Sequence, residues 1–388
     1  MMVWREASRL IHAASQEYPV VAVSGPYQSG KTTLVRRIFP SHDYVSLVDP
    51  GVREFARSRP LDFLRRYPGG VIIDEYRLAP ELSHAIRARA AGSRRGRFIL
   101  VTSHLAQKSA VAPAPFGMLG TVTLLPLSIG ELSCAQVRFE RDGYIYNGFM
   151  PRLYDARAFA GTDPPALRRD YLGGYVERYV RRLITTGCGD ALGRFLKMLA
   201  GRVGQAVNMH TYAIEAGVAM PTLMSWVKAL EAGFVVFRLP SFTGGLGERV
   251  MRAPKFYFTD VGLAAYLLGV DNPLHLQRDP QIGNLFENMV VAEVLKGCRN
   301  KGGGAQLYYF RSRGGLEIDL VVKNRNSIIP IEIKCGDRYS ASYAGKIRQF
   351  KKLSGRISDG YVVYCGEERA EEGETTYVNY RIAGDLLQ

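Results

Sequence analysis

The chain is poor in the residues that build metal clusters and disulfide frameworks. Its five cysteines, at 134, 188, 298, 335 and 365, include no C-x-x-C pair and are odd in number. That excludes a zinc ribbon or a disulfide scaffold and suits a reducing compartment. The six histidines are scattered without the spacing of a metal-binding pair. No apolar run reaches the roughly 18 residues that a membrane-spanning helix needs. The opening stretch, residues 1–19, has the polar interruptions of an amphipathic helix and not the apolar core of a secretory leader. Internal repeats and low-complexity tracts are also missing. Acidic residues are the scarcer charge, 36 against 51 Lys and Arg, for a net +15. Such a field attracts polyanions, and the surplus is spread along the chain and not held in a tail. These absences point to a soluble, cytoplasmic protein without a membrane span.

What is present is enough apolar material, 47% of 388 residues, for two or three domains. Up to about residue 165, short β-branched runs alternate with helical stretches. The runs are Pro19–Val23, Tyr44–Val48, Val71–Ile73, Phe98–Thr102 and Thr121–Leu125, with helices predicted at Lys31–Phe39 and Pro80–Ala91. Apolar runs without polar alternation predict strands buried on both faces, hence a parallel sheet flanked by helices. A breaker cluster at 160–165 closes this part, and a mostly helical stretch follows to about 270. A second break, around Asn272-Pro273 and Asp279-Pro280, precedes a helix at about Gly283–Lys296. Strands at Leu307–Arg311, Ile318–Lys323 and Ile328–Lys334 come next. The predicted organisation is an α/β P-loop domain over 1–165, a helical winged-helix domain over 166–275 and a small α/β domain over 276–388.

Residues 25–32 read G-P-Y-Q-S-G-K-T and match G-x4-G-K-[ST], between a strand and a helix as that motif requires. Gly25, Gln28, Ser29, Gly30, Lys31, Thr32 and Thr33 are the candidate nucleotide-binding residues. Inward N–H groups and the helix start near Lys31 favour phosphate, Lys31 would bridge the β- and γ-phosphates, and the Thr32 hydroxyl would ligate Mg²⁺. Val71-Ile-Ile-Asp-Glu75 supplies the partner carboxylates. Asp74 at a strand end can hold the Mg²⁺ hydration shell, and Glu75 beside it can polarise the attacking water. Thr102 and Ser103 end the next strand, where their hydroxyls can sense a γ-phosphate. ATP and Mg²⁺ are the expected cofactors.

The segments VSGPYQSGKTTL, VIIDEYRLAPEL, RFILVTS, LLPLSIGEL and GFMPRLYD resemble, in order and spacing, prokaryotic AAA+-type ATPases that carry a C-terminal domain of unknown function. YVERYVRRL, KFYFTDVGLAAYLLG, GNLFENMVVAEVL and LEIDLVV with IPIEIKCG continue the resemblance through the second half. Two departures stand out. The family's Thr-Gly-Ser after the fourth strand is Val101-Thr102-Ser103 here, and its Gly-Arg before the next strand is Gly120-Thr121. An arginine acting across subunits is therefore unassigned, with Arg94, Arg95 and Arg152 as candidates and an oligomer open.

Residues 208–240 have helix-turn-helix spacing, with Gly217 at the turn, a second helix from Pro221 and a strand after Gly233. Together with the resemblance they imply a winged helix. Thr222, Ser225 and Lys228 are the polar groups on the second helix, so contact with DNA and contact with a protein both stay open. In the last part, Glu287 lies on a helix, Asp319 in a strand, and Glu332 and Lys334 on the next strand, two residues apart and on one face. Three carboxylates can hold Mg²⁺ while Lys334 orients water, an arrangement resembling the PD-(D/E)-x-K nuclease core. Glu332 and Lys334 as a plain ion pair is the alternative. The leading functional reading is a Mg²⁺-dependent ATPase whose cycle moves or gates the C-terminal half. An ATP-regulated DNA endonuclease and a slow nucleotide-gated binding module are the alternatives.

Overall fold

The computed structural model describes residues 3–91, 95–104, 118–155, 163–184, 189–244, 250–324, 327–353 and 355–387. Arg94, and with it one of the candidate arginines, lies outside them. The first part contains α1 (Ala7–Glu17), β1 (Val20–Ser24), α2 (Lys31–Ile38), β2 (Asp43–Ser46), α3 (Pro50–Ser58) and α4 (Pro60–Arg65). β3 (Val71–Asp74), α5 (Leu82–Ala90), β4 (Phe98–Thr102) and β5 (Leu119–Thr123) complete it. The five strands are parallel, in the order β2-β3-β4-β1-β5.

Alternation along these strands explains the two layers of helices. Val20, Ala22, Val71, Ile73, Phe98 and Leu100 pack against Ala56, Phe63, Leu64, Leu82 and Ile86 of α3, α4 and α5. Their neighbours Val21, Val23, Ile72, Ile99 and Val101 face Ala7, Ile11, Leu34 and Val35 of α1 and α2. Burying each Val, Leu, Ile or Phe among them contributes about 1.5–3 kcal/mol. Because β4 lies between β1 and β3, with Ser24 beside Thr102 and Asp74 beside Val101, three strand ends converge on one edge. Ligands in open parallel sheets collect at this carboxyl edge.

The chain continues through α6 (Ile129–Cys134), whose start is closed by a capping box between Ser128 and Glu131. Next come α7 (Arg141–Asn147) and α8 (Pro164–Tyr175), capped by Asp163 with Pro164 in its first turn. A π-helical turn, Val176–Val180, connects α8 to α9 (Arg181–Leu183). α10 (Gly189–Gly201), α11 (Met209–Ala216) and α12 (Met220–Ala232) precede β6 (Val236–Leu239) and β7 (Lys255–Phe258), an antiparallel pair, and α13 (Val261–Leu267). The last part holds α14 (Ile282–Asn300), β8 (Gln306–Arg311), β9 (Glu317–Asn324), β10 (Ser327–Lys334) and α15 (Gly345–Lys351). β11 (Gly360–Tyr364), β12 (Ala370–Glu372) and β13 (Thr375–Asn379) complete a mixed sheet of order β12-β13-β11-β10-β9-β8.

The second and third parts share a core. Buried residues form one cluster from Leu127 through Phe195 and Tyr257 to Ala383. Beyond β6 the backbone also joins the last sheet, with Phe242 N–H donating to Tyr309 O at 2.7 Å and Met251 N–H to Arg311 O at 2.9 Å. The N-terminal part is tied in by polar contacts. Ile129 N–H donates to Glu293 at 2.8 Å, and Lys296 Nζ donates to Leu127 O at 2.8 Å and to Glu293 at 2.6 Å.

Candidate functional site: a phosphate loop at the sheet edge

The loop between β1 and α2 is held open by its backbone. Gly25 has φ +155°, and a side chain there would overlap the Leu124 carbonyl. Gly30, at φ +90°, turns the chain into α2, and Gln28 adopts a left-handed φ of +63° at the exposed tip. Lys31 is buried, its Nζ donating to Gly25 O at 2.9 Å and Pro26 O at 2.6 Å. Burial pulls its pKa down to about 8 even though Glu75 and Asp74 favour the charge. Ser29 Oγ is buried and unpartnered. An ammonium bonded to its own loop, an orphaned hydroxyl and a helix start together make a cradle that fits a phosphate chain. Thr33 sits exposed in the first turn of α2.

The carboxylates meet this cradle from β3. Thr32 Oγ1 donates to Asp74 Oδ2 at 2.7 Å, which pairs the two groups expected to share Mg²⁺. Tyr44, on the neighbouring strand β2, donates its hydroxyl to the same oxygen at 2.9 Å. Asp74 Oδ1 accepts from Glu75 N–H at 3.0 Å, so the carboxylate plane is fixed. Glu75 itself has a left-handed φ of +50°. Such conformations cost of order 1–3 kcal/mol and concentrate at functional positions. Ser103 Oγ donates to Glu75 Oε1, and Ser103 N–H approaches Oε2 at 3.4 Å. Thr102 is buried and accepts from His104 N–H at 3.2 Å, so Ser103 contacts the acid while Thr102 shapes the strand end.

The sequence reading missed the groups that hold the loop from a distance. Arg5 is buried, with guanidinium bonds to Ser29 O at 2.8 Å and Leu125 O at 2.5 Å, and its Nε lies 3.1 Å from the buried Glu131. Of the candidate arginines, Arg95 donates to Gln16 O at 3.0 Å, at the end of α1. Arg152 is exposed, and its neighbour Pro151 lies against Gly30.

The C-terminal residues gather only in part. Glu332 is fully buried, and its Oε1 accepts from Lys334 Nζ at 2.6 Å and Lys346 Nζ at 2.7 Å. Its Oε2 is buried and unpartnered. Asp319 Oδ2 accepts from Ile333 N–H at 2.8 Å. Glu287 Oε1 takes Tyr257 OH at 2.6 Å and Lys255 Nζ at 3.1 Å, and Lys255 also binds Glu317 at 2.9 Å. Burial pushes the Glu287 carboxyl up to about 7, with Lys255 opposing and Asp319 adding to the rise. No group of three His, Cys, Asp or Glu side chains able to hold a metal occurs among the described residues. Glu287 is engaged by Lys255 and Tyr257, with Asp319 near enough to raise its pKa. The clue was Lys255, a lone cation in Lys-Phe-Tyr-Phe that ends up buried.

Residues 17–133 match the AAA domain family, while 139–274 and 282–382 match two domains of unknown function, DUF8612 and DUF4143. Uncharacterized proteins of Mycobacterium tuberculosis and Mycobacterium bovis are each 28% identical over 374 residues, 96% of this chain and 82% of theirs. Among solved structures, a Walker-type ATPase of Pyrococcus abyssi is similar at 13% identity and TM-score 0.45, over 68% of this chain and 94% of that one. AMPPCP-bound DnaA from Aquifex aeolicus is similar at 13% identity and TM-score 0.29, over 58% of this chain and 85% of that one. The first sheet lies within the residues that match the AAA domain family. No helix among the described residues is long and apolar enough to cross a membrane.

Proposed function

We propose that the chain binds Mg²⁺-ATP on Gly25–Thr33 and hydrolyses it, with Glu75 as general base, and that the cycle moves the C-terminal half. The observation that carries this reading is the 2.7 Å bond from Thr32 to Asp74, beside the unpartnered Ser29 hydroxyl and the self-bonded Lys31. When bound, Mg²⁺ would supply neutralisation of the phosphate charge. Lys31 leaves the loop carbonyls for phosphate oxygens, Thr32 and Asp74 would hold the metal, and Tyr44 keeps Asp74 oriented. Glu75 accepts a proton from water only after it leaves Ser103, since that hydroxyl occupies its Oε1 in the empty site. That hold favours slow, gated turnover.

A second reading concerns the C-terminal half, taken as a winged helix over 166–275 and a nuclease-like domain over 276–388. The succession α10–α12 and the β6–β7 hairpin support the first. The buried, unpartnered Glu332 Oε2, on the strand beside Asp319, supports a divalent cation held by those two carboxylates with Lys334 next to it. Glu287 then serves Lys255 and not the metal. DNA or a protein is the partner of this half.

The primary reading is tested by titrating the protein with Mg²⁺-ATP in a calorimeter. Lys31→Ala removes charge-assisted bonds worth about 1.5–3 kcal/mol each, so affinity should fall about 10- to 150-fold. Equal affinity in wild type and variant would refute the site.

A further inference from the structure

The helix after Asp163 does not stay regular. Its π-helical turn, Val176–Val180, is a rare form that concentrates at functional positions. Tyr179 lies on this turn, 8% exposed, and its ring stacks on Tyr27 of the phosphate loop with centroids 4.8 Å apart and planes 15° apart. His104 meets the same ring edge-on at 6.4 Å, and Tyr175 packs against it at 5.2 Å. The Tyr179 hydroxyl is 2.8 Å from Ser103 O and 3.1 Å from Gly233 O. A phenol has one proton to donate, so these two carbonyls compete for it. Ser103 is the residue that holds Glu75. Gly233 closes α12 and leads into β6, and any side chain there would overlap Leu183 of α9. One buried ring therefore touches the phosphate loop, the backbone of the residue restraining the general base, and the end of α12.

We propose that Tyr179 is a positioning residue of the ATPase site, linking the Ser103–Glu75 pair to α12 and the β6–β7 hairpin through Gly233. This deepens the ATPase reading and rests on it. Glu75 must leave Ser103 to take a proton from water, and Tyr27 must adjust when phosphate enters the loop. Both events change what Tyr179 contacts. As the Ser103 carbonyl moves, the phenolic O–H turns its one hydrogen bond to Gly233 O, and the end of α12 is held more tightly while the catalytic end is freed. The hydroxyl thus has two discrete arrangements, the kind of element that lets one site bias another.

Tyr179→Phe keeps the ring and its stack and removes only that proton. Affinity for Mg²⁺-ATP should stay within about twofold while kcat rises about fivefold, because the Ser103–Glu75 pair loses one ordinary hydrogen bond that holds it. In wild type, Mg²⁺-AMPPCP should slow amide exchange over residues 234–239, and in Tyr179→Phe that slowing should vanish although AMPPCP still binds. Tyr179→Ala also removes the stack on Tyr27 and should weaken nucleotide binding about two- to tenfold. A wild type that binds and hydrolyses ATP, beside a Tyr179→Phe variant with unchanged kcat and unchanged exchange response, overturns this inference alone. A wild type that binds no nucleotide overturns the ATPase reading and this inference with it.

Discussion

Lys31 makes nucleotide affinity depend on pH in a direction set by its burial. In the empty loop its pKa is lowered from 10.5 to about 8 by burial. With that value, about nine-tenths of empty sites carry the charge at pH 7 and about one-tenth at pH 9. A polyphosphate against the ammonium raises its pKa again, so the bound site stays charged at both pH values. Binding at pH 9 must then take up about 0.9 proton, and Kd should weaken about tenfold from pH 7, or about 1.4 kcal/mol. The terminal phosphate has lost its last proton near pH 6 and contributes little in this window. Folding stability of the empty protein moves the other way. Between about 8 and 10.5 the unfolded chain holds a proton on Lys31 that the folded protein lacks, so stability rises with pH there. Calorimetry at pH 7 and 9, in two buffers of different ionisation heat, reads both Kd and proton uptake. A Kd flat over this range with no proton uptake would refute the argument that Lys31 is a buried cation awaiting phosphate.

Arg5→Ala removes the side-chain cation facing the fully buried Glu131 and frees the loop at Ser29, so it should cost about 3–5 kcal/mol by urea denaturation and weaken ATP binding as well. Mg²⁺ or Mn²⁺ should support nicking of plasmid DNA, and Asp319→Ala or Glu332→Ala should abolish it while leaving ATP turnover intact. Nicking that survives both substitutions would leave the constellation as a set of buried ion pairs.

The placing of the 25–32 loop between a strand and a helix, and of Asp74 and Glu75 at the end of β3, was legible in the sequence because those patterns are local. A loop that binds through its own backbone needs glycines and a lysine in fixed order, and a metal-binding acid needs only the end of an apolar strand. The five parallel strands were legible for the same reason, with ends shifted by a residue or two. β5, for instance, spans Leu119–Thr123 against an expected start at 121. What was hidden arises from long-range meetings. Arg5 and Glu131 lie 126 residues apart, and Tyr179 and Ser103 lie 76 apart. Alternation placed Glu332 and Lys334 on a common face of β10 but said nothing of what covers it. α15 packs there and brings Lys346 to Glu332, so a strand face that alternation leaves open to solvent is buried. Lys255 reaches Glu287 only because β7 runs beside α14, which no local pattern encodes.

The central claim is that Glu75 activates water against nucleotide held by the loop. The most direct test is single-turnover release of phosphate from pre-bound Mg²⁺-ATP, comparing wild type with Glu75→Gln at equal occupancy. Gln keeps an oxygen for Ser103 and the shape of the site but cannot take the proton. Release slowed about 100-fold or more, with affinity unchanged, is the predicted result; release at the wild-type rate would contradict the account.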